Sequence, residues 1–283
     1  MTQPTWSPAV LLPLCLLGVS LAILLGRAAV ARARPLEPAT FAASGAPGSI
    51  EAEDTASPPA DRYDDVDHLA ALRHEFRTPL NAVLGFSDVL LRGIDGDVND
   101  SQREDLEIIR ASGMKLQVLL DSALDLSQLA LGDLKLDLDS TNANDVVSRA
   151  ADEAGQLWAG KRSALSEVPQ APCVATIDAV RLRRCLLVLA DVLGNQYREA
   201  KIHLELAPTE EHLVVTVSAD PSGVLALDAL PTPAEVVGAE DPMKIRRWPV
   251  AVSTEIVAAH QGSLYHGDEP ARFVIRVPRG EGA

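Results

Sequence analysis

Apolar residues recur every three or four positions in two stretches of the chain, which is the spacing of one buried face of an α-helix. In the first stretch these positions are Leu69, Leu72, Phe76, Leu80 and Val83. In the second stretch they are Leu106, Ile109, Gly113, Leu116, Leu120 and Ala123. A turn rich in glycine and aspartate, residues 93–97, separates the two, so the pattern predicts a helical hairpin. Ser101, followed by Glu104 at capping-box spacing, is predicted to begin the second helix.

A single helical hairpin has too little surface to enclose a hydrophobic core. We therefore expect two copies of the chain to pair into a four-helix bundle, which makes the protein a homodimer. A structural antiparallel coiled coil would produce the same periodicity, so the pattern alone leaves that alternative open.

From about residue 133 onwards the pattern changes to alternating strands and helices. Leu134, Leu136 and Leu138 alternate with polar residues and predict a half-buried strand. Further along, the chain predicts helices over about 143–158, 178–194 and 250–260, a short strand over about 171–177, a hairpin of strands over 201–207 and 212–219, and two strands within 263–277. This order predicts an α/β sandwich with one mixed sheet and helices on one of its faces. The predicted fold class is therefore α+β, a helical hairpin followed by this sandwich.

The amino-terminal segment from Ala9 to Gly26 contains no charged residue. At 1.5 Å per residue it spans about 27 Å as a helix, enough to cross the hydrocarbon core of a bilayer. Arginines follow it at positions 27, 32 and 34, so the positive-inside rule places the residues after about 27 in the cytoplasm. A cleaved secretory signal is the alternative, because residues 29–33 have the small-x-small form of a cleavage site. The arginines after the segment and the lack of basic residues before it favour an uncleaved single-pass anchor in the cell membrane.

The chain divides into four predicted segments. Residues 1–34 form the membrane anchor. Residues 35–62 form a disordered linker, because Ala, Pro, Ser, Gly and acidic residues dominate there. Residues 63–132 form the helical hairpin, and residues 133–283 form the α/β sandwich.

The charge and the distribution of cysteine and histidine exclude several kinds of site. A net charge of -15 argues against a nucleic-acid partner, because phosphates are bound by Lys and Arg. Cysteines and histidines form neither a disulfide framework nor a metal-binding spacing. Away from the site considered next, these residues are Cys15, Cys173, Cys185, His68, His203, His212, His260 and His266. We therefore expect no metal site built from them.

The run His74-Glu75-Phe76-Arg77-Thr78-Pro79-Leu80 places an imidazole beside a carboxylate in the middle of the first predicted helix. At about 100° per residue, His74 is two steps from both Leu72 and Phe76, so it lies opposite their apolar stripe and faces solvent. Pro79 removes an intrahelical hydrogen bond and predicts a kink, a defect that costs about 3 kcal/mol in a plain helix. A kink one turn after an exposed histidine points to function rather than packing.

This run resembles the phosphoacceptor box of sensor histidine kinases. The resemblance implies that His74 carries phosphate on a ring nitrogen and transfers it to an aspartate of a response-regulator receiver domain. It also implies that Glu75 hydrogen-bonds the other ring nitrogen, and that Thr78 positions a water that dephosphorylates the partner. A plain surface threonine before a proline kink is the alternative for Thr78.

Residues 133–283 resemble the ATP-binding domain that follows the bundle in this family. The resemblance lies in the order of helices and strands and in the segments Asp178–Leu182 and Ile256–Gly262. Where the family carries the asparagines that bind magnesium, this chain has the segment from Val188 to Val192. Valine offers no oxygen to a hard cation, so this departure predicts the loss of the metal site.

Two further departures concern the nucleotide. Asp220 stands where the family has the aspartate that reads adenine, and Gly223 is the one glycine left of the box around it. The family's second glycine-rich run falls on Arg247–Val250, where a proline removes a backbone donor. Asn195 is an alternative metal ligand if its helix continues to Gln196. We therefore expect no cofactor, with Mg-ATP bound only if this divergent site still works.

The sequence thus predicts a membrane-anchored, dimeric phosphorelay protein. In it, His74 receives phosphate from an upstream kinase and passes it to a response regulator, while the ATP site has been lost. An ATP-dependent sensor kinase with a divergent nucleotide site is one alternative. A pseudokinase that acts as a scaffold or phosphatase through Glu75 and Thr78 is another. A non-enzymatic coiled-coil membrane scaffold is a third.

Overall fold

The computed structural model describes residues 61–94, 96–159, 163–197, 201–220, 230–233, 235, 248–268 and 271–280. No helix within these ranges combines the length and the apolar content needed to cross a membrane. The predicted anchor lies outside the described residues, as do the linker up to residue 60, Gly223 and Arg247. What the sequence predicts for those positions stays a prediction.

Two long antiparallel helices form the first part of the described chain. Helix α1 spans Asp61–Leu91 and helix α2 spans Asp100–Leu131, so the predicted hairpin is confirmed. The predicted cap at Ser101 is wrong. Asn99 caps α2 instead, because its side chain accepts the Gln102 N–H at 2.9 Å and the Gln102 side chain accepts the Asn99 N–H at 3.0 Å. Asparagine caps a helix as well as serine, and this reciprocal pair satisfies two donors that the helix leaves open.

The two helices meet along a narrow seam. On α1 the seam carries Arg73, Arg77, Leu80, Leu84 and Ser87, all buried or half-buried. On α2, Gly113 allows the helices to approach closely, since a Cβ there would come within 2.9 Å of the Leu84 side chain.

Part of the predicted apolar stripe lies outside this seam. Phe76 is 41% exposed and Val83 47%, and on α2 the same holds for Ile109 at 47% and Leu116 at 50%. The seam of the single hairpin therefore does not bury these four positions, and their burial in the predicted four-helix bundle stays a prediction. They form a second apolar face, because the seam itself is partly built from the arginines.

The second part of the chain alternates helices and strands. Its helices are α3 (Ala143–Gln156), α4 (Ala179–Gln196) and α5 (Trp248–Ala259). Its strands are β1 (Asp139–Asn142), β2 (Ala164–Glu167), β3 (Val174–Ile177), β4 (Lys201–Pro208), β5 (His212–Asp220), β6 (Ser263–Asp268) and β7 (Ala271–Pro278).

Five of these strands form one mixed sheet in the order β2-β4-β5-β7-β6, with β2 parallel to β4 and the other neighbours antiparallel. Every second residue of the central strands is buried, as the period of two requires for a sheet covered on one face. These buried residues pack with those of α3, α4 and α5 in one core; they are Ile202, Leu204, Leu206, Leu213, Val215, Val217, Ala219, Phe273, Ile275 and Val277. The predicted α/β sandwich is confirmed.

Two details of the predicted strands are wrong. Residues 134–138 form no strand, because none of the strands in the described ranges pairs with them. The Asp137 N–H donates to the carboxylate of Asp178 instead, at 3.1 Å. The chain enters a strand only at Asp139, where β1 pairs with β3 in a separate two-stranded sheet. Strand β2, which the sequence pattern did not predict, adds a parallel edge to the main sheet.

Candidate functional site

His74 lies on the exposed side of α1, next to the seam with α2, as its helical phase predicts. Arg77, which faces α2, is three residues further on, so the two side chains are about 60° apart around the helix. Phe76 lies about 100° to the other side of Arg77. His74 and Phe76 therefore flank the seam on opposite sides, with the imidazole on one side and the apolar face on the other.

Glu75 and Thr78 are exposed beside it. The Thr78 hydroxyl donates to the backbone carbonyl of His74 at 3.1 Å, which uses its proton and leaves its oxygen as an acceptor. Adjacent side chains on a helix do not face each other, and within the described ranges no hydrogen bond joins Glu75 to the His74 ring. Pro79 is part of α1, which continues through it to Leu91.

Two aspartates of α2 bind two arginines of α1 that flank His74 in sequence. Arg77 donates through Nη2 to both carboxylate oxygens of Asp121, each at 3.1 Å. Arg73 donates to Asp125 at 3.3 Å. Asp125 is fully buried and Asp121 nearly so. Because the two pairs are one turn apart on both helices, they fix the register of the hairpin at the level of His74.

Arginines of α4 extend this arrangement into the sandwich. Arg184 is buried, contacts Asp125 and lies 3.7 Å from Asp121. Arg181 lies 3.5 Å from Asp125 and binds Asp178 at 2.6 Å. We call this set the charge cluster; its members are Arg73, Arg77, Asp121, Asp125, Asp178, Arg181 and Arg184. It joins the sandwich to both helices of the hairpin.

Burial and mutual repulsion of the arginines act on the pKa values of the cluster. Burial lowers the pKa of Arg184, Asp121 opposes this, and Arg73 and Arg77 lower it further. Burial likewise lowers the pKa of Arg73, with Asp121 again acting in the opposite direction. Arginine stays protonated in proteins, so the cluster is ionic. A fully buried carboxylate such as Asp125 is tolerated only because these cations surround it.

This cluster was not among the sites predicted from the sequence. Its signal is nonetheless present, since Arg73 with Arg77 and Asp121 with Asp125 are charged pairs four residues apart within helices that otherwise bury apolar residues. Pairs at that spacing share one helix face. Charged residues on a packed face are rarely buried without partners of opposite charge.

His260 is buried and fully hydrogen-bonded. Its Nε2 accepts the backbone N–H of Asp178 at 3.0 Å, and its Nδ1 donates to the carbonyl of Ile256 at 2.8 Å. The ring therefore links the end of α5 to the cap of α4. Among the described residues, it belongs to no group of three or more side chains that could hold a metal ion.

The described contacts do not bring the predicted nucleotide residues together. Asp220 is exposed at the end of β5, and Asn195 lies in the last turn of α4. Helix α4 does continue to Gln196, as a metal role for Asn195 requires. However, the Asn195 amide donates to Asp191 at 2.8 Å, and the same carboxylate accepts from Trp158 at 3.1 Å and lies 3.3 Å from the ammonium of Lys115.

Apolar side chains occupy the positions where the resemblance placed the ligands of Mg-ATP. Val188 is buried within α4. Trp248, Pro249 and Val250 are buried in the first turn of α5, where the resemblance placed a glycine-rich run. Across the described ranges, no group of three or more His, Cys, Asp or Glu side chains is placed to hold a metal ion.

Comparison with known protein families identifies the first part of the chain. Residues 66–132 match the family model of the His Kinase A (phospho-acceptor) domain. An uncharacterized sensor-like histidine kinase of Rhizobium meliloti is 42% identical over 81 residues, which are 28% of this chain and 15% of that protein. The circadian input-output histidine kinase CikA of Thermosynechococcus vestitus is 52% identical over 66 residues, 23% of this chain and 9% of that protein. The predicted resemblance to sensor histidine kinases is confirmed, and the matched segment spans a small part of these relatives' lengths.

Among solved structures, full-length ShkA in complex with AMPPNP is similar to this chain. The alignment covers 77% of this chain and 47% of that one, with 24% sequence identity and a TM-score of 0.47.

Proposed function

We propose, from the premise that the chain carries the phospho-acceptor domain of the sensor histidine kinase family, that it is a phosphotransfer protein of a two-component system. His74 takes a phosphoryl group from an upstream kinase and passes it to an aspartate of a response-regulator receiver domain. In each step a bond from phosphorus to the donor atom breaks as the bond to the acceptor forms. The observation that carries the proposal is the exposed His74 ring in the matched domain, beside a seam held by the charge cluster.

In this proposal the chain does not phosphorylate itself from ATP, and it needs no cofactor. The buried Val188, Trp248 and Pro249 support this, because they stand at the positions of a metal-binding amide and of a glycine-rich cradle. A backbone can approach a phosphate closely only where side chains leave room and the N–H groups are available. The carboxylate of Asp191, three residues after Val188, already has three donors.

The protein functions as a homodimer attached to the membrane. The exposed apolar face of the hairpin supports the dimer, because a second copy would cover it in a four-helix bundle. This face comprises Phe76, Val83, Phe86, Leu90, Ile109 and Leu116. The uncharged segment from Ala9 to Gly26 and the arginines after it support a single-pass anchor, with the residues after about 27 in the cytoplasm.

The deciding experiment uses the full chain purified in mild detergent. Incubation with labelled ATP and Mg²⁺ leaves it unlabelled, whereas a phosphorylated receiver domain transfers label to it. His74→Ala abolishes that transfer. The control is His212→Ala, which removes a histidine from the sandwich domain and leaves the transfer unchanged.

Other outcomes select other functions. Strong labelling from ATP that depends on His74 shows an ATP-dependent kinase with a divergent site. A receiver phosphatase activity that Thr78→Ala abolishes and His74→Ala retains shows a phosphatase. A chain that exchanges no phosphate, whatever the residue at His74, is a scaffold.

A further inference from the structure

Arg77 has hydrogen-bond donors that the charge cluster does not use. Both of its bonds to Asp121 are made by Nη2. Its Nε and Nη1 make no hydrogen bond to any part of the chain that the structure describes. The side chain is 43% exposed, the highest value in the cluster, so these donors are open to solvent. Guanidinium N–H groups bind phosphate oxygens strongly, since the bond is charge-assisted.

Arg77 and His74 leave α1 in directions about 60° apart, so their side chains are neighbours on the helix. Residues three apart on a helix have Cβ atoms about 5–6 Å apart, which is within reach of an arginine side chain and a substituted imidazole. Around the helix, His74 is closer to Arg77 than Phe76 is, because Phe76 lies about 100° away on the other flank of the seam.

The charge of the cluster favours an anion there. Four arginines face three aspartates, so one positive charge has no counter-charge within the cluster. A phosphoryl group on His74 adds about one and a half to two negative charges. It would offset the excess positive charge next to the most exposed arginine.

We propose that Arg77 binds the phosphoryl group on His74 through Nε and Nη1 while Asp121 holds its Nη2. This inference rests on the proposed role of His74 as phosphoacceptor. It also gives the sandwich a task that requires no nucleotide. Arg184 of α4 lies 3.7 Å from Asp121, the aspartate that holds Arg77, so docking of the sandwich helps to place the phosphoryl-binding side chain.

The test loads His74 chemically, without a partner protein. Potassium phosphoramidate phosphorylates imidazole: its own P–N bond breaks, a bond from phosphorus to the ring nitrogen forms, and the ring proton leaves with the ammonia as ammonium. The full chain in detergent is treated in this way and followed by ³¹P NMR. The signal of His74 is the one missing from His74→Gln.

The measured quantity is the proton affinity of phosphorylated His74, obtained from the pH dependence of that signal. A neighbouring cation disfavours protonation, so Arg77→Gln increases the proton affinity about threefold to tenfold, the effect of a half-exposed charge-assisted hydrogen bond. Hydrolysis of the phosphorylated ring also becomes faster, because a protonated imidazole is the better leaving group. Arg77→Lys keeps the charge and stays near wild type, and Arg92→Gln, an exposed arginine just beyond α1, changes nothing.

A second measurement uses the wild-type sequence, so that the inference does not depend on a variant that could misfold. High salt screens a half-exposed ion pair, so it increases the proton affinity of phosphorylated His74 in the wild type and much less in Arg77→Gln. An unchanged proton affinity in Arg77→Gln, together with no salt effect in the wild type, overturns the inference and leaves the phosphotransfer role standing. A wild-type chain that acquires no His74 signal overturns both.

Discussion

The backbone N–H of Asp178 donates a 3.0 Å hydrogen bond to Nε2 of His260, which joins the cap of α4 to the end of α5. The carboxylate of Asp178 accepts the N–H of Arg181 at 2.9 Å, the guanidinium of Arg181 at 2.6 Å and the N–H of Asp137 at 3.1 Å. One residue therefore caps a helix, holds the segment that enters the sandwich and belongs to the charge cluster.

These bonds make stability depend on pH. Burial by itself raises the pKa of Asp178, but the hydrogen bonds from Arg181 and Asp137 outweigh it and lower the pKa below its ordinary 3.8. Since the folded pKa is the lower one, the ionised carboxylate stabilises the fold above about pH 4, and this contribution is lost as pH falls from there through the folded pKa. We expect Asp178→Asn to lower the free energy of unfolding at pH 7 by about 2 kcal/mol, measured by urea denaturation.

Urea denaturation over a series of pH values tests this assignment, with a second aspartate as the control. Asp178→Asn loses less stability than the wild type between neutral and acid pH, because its amide does not titrate. Asp139→Asn, an exposed aspartate at the start of β1, keeps the wild-type pH dependence. If the free energy of unfolding of Asp178→Asn fell with acid pH as steeply as that of the wild type, the role given to this carboxylate would be contradicted.

The charge cluster predicts a large effect at Asp125. Asparagine there removes the charge that Arg73, Arg181 and Arg184 share and leaves buried cations without compensation. Breaking one partner of a buried ion pair costs about 3–5 kcal/mol, so we expect Asp125→Asn to lower the free energy of unfolding by that amount. Asp105→Asn, on an exposed position of the same helix, serves as the control in urea denaturation. If the two variants unfolded at the same urea concentration, the charge cluster would contribute little to the stability of the fold.

Local patterns in the sequence predict most of the fold correctly. Helix α4, the strand hairpin and the exposure of His74 all follow from periodicity, because the side-chain period is set by the backbone itself. The same logic fails for Leu134 to Leu138. Alternation predicts a strand only where a second strand can pair with it, and none of the described strands pairs with this segment. A helix cap also depends only on nearby residues. Asn99 and Ser101 both have side chains that cap helices well, so the sequence alone does not decide which of them begins α2.

The sequence shows the charged pairs of the cluster but not which of them meet, because the cluster is a contact between distant segments. Arg77, Asp121 and Arg184 come from three helices, and each residue alone has the pattern of a solvated helix surface. Phe76 and Val83 show the converse. Their spacing predicts one buried stripe but not which partner covers it, and the structure gives part of the seam to arginines and leaves these two residues on a second face.

Gly194 is predicted to resist substitution although it lies in a helix. A Cβ at this position would lie 2.4 Å from the Trp158 indole, which is rigid and buried. Alanine therefore has to displace the ring, and overpacking of this kind costs about 1–3 kcal/mol, more than the helix propensity that alanine gains. Thermal unfolding should show a lower Tm for Gly194→Ala. Gly85→Ala has nothing within 4 Å of the added atom, so its Tm should not fall.

The apolar face of the hairpin predicts the effect of a charge placed on it. Leu116 is 50% exposed in the single chain, and a second copy would bury it. An unpaired buried charge costs several kcal/mol, so Leu116→Asp should raise the Kd of the dimer more than about a hundredfold in sedimentation equilibrium. Leu165→Asp changes an equally exposed leucine on strand β2 and should leave the Kd unchanged. A monomeric wild type would remove the basis for the dimer.

The two cysteines of the sandwich are predicted to be inert in the folded protein. Burial raises the pKa of Cys185 from 9.0 to about 11, and burial also raises the pKa of Cys173. The thiolate is the reactive form, so a higher pKa leaves less of it at pH 8, and the closed core adds a barrier to the reagent. Iodoacetamide should therefore label neither residue in native protein and both in urea, with each site read separately by peptide mass spectrometry.

Because labelling requires the core to open, destabilised Asp125→Asn should react faster than the wild type at both cysteines. Rapid labelling of the native wild type at Cys185 would contradict the close packing of α4 against α5.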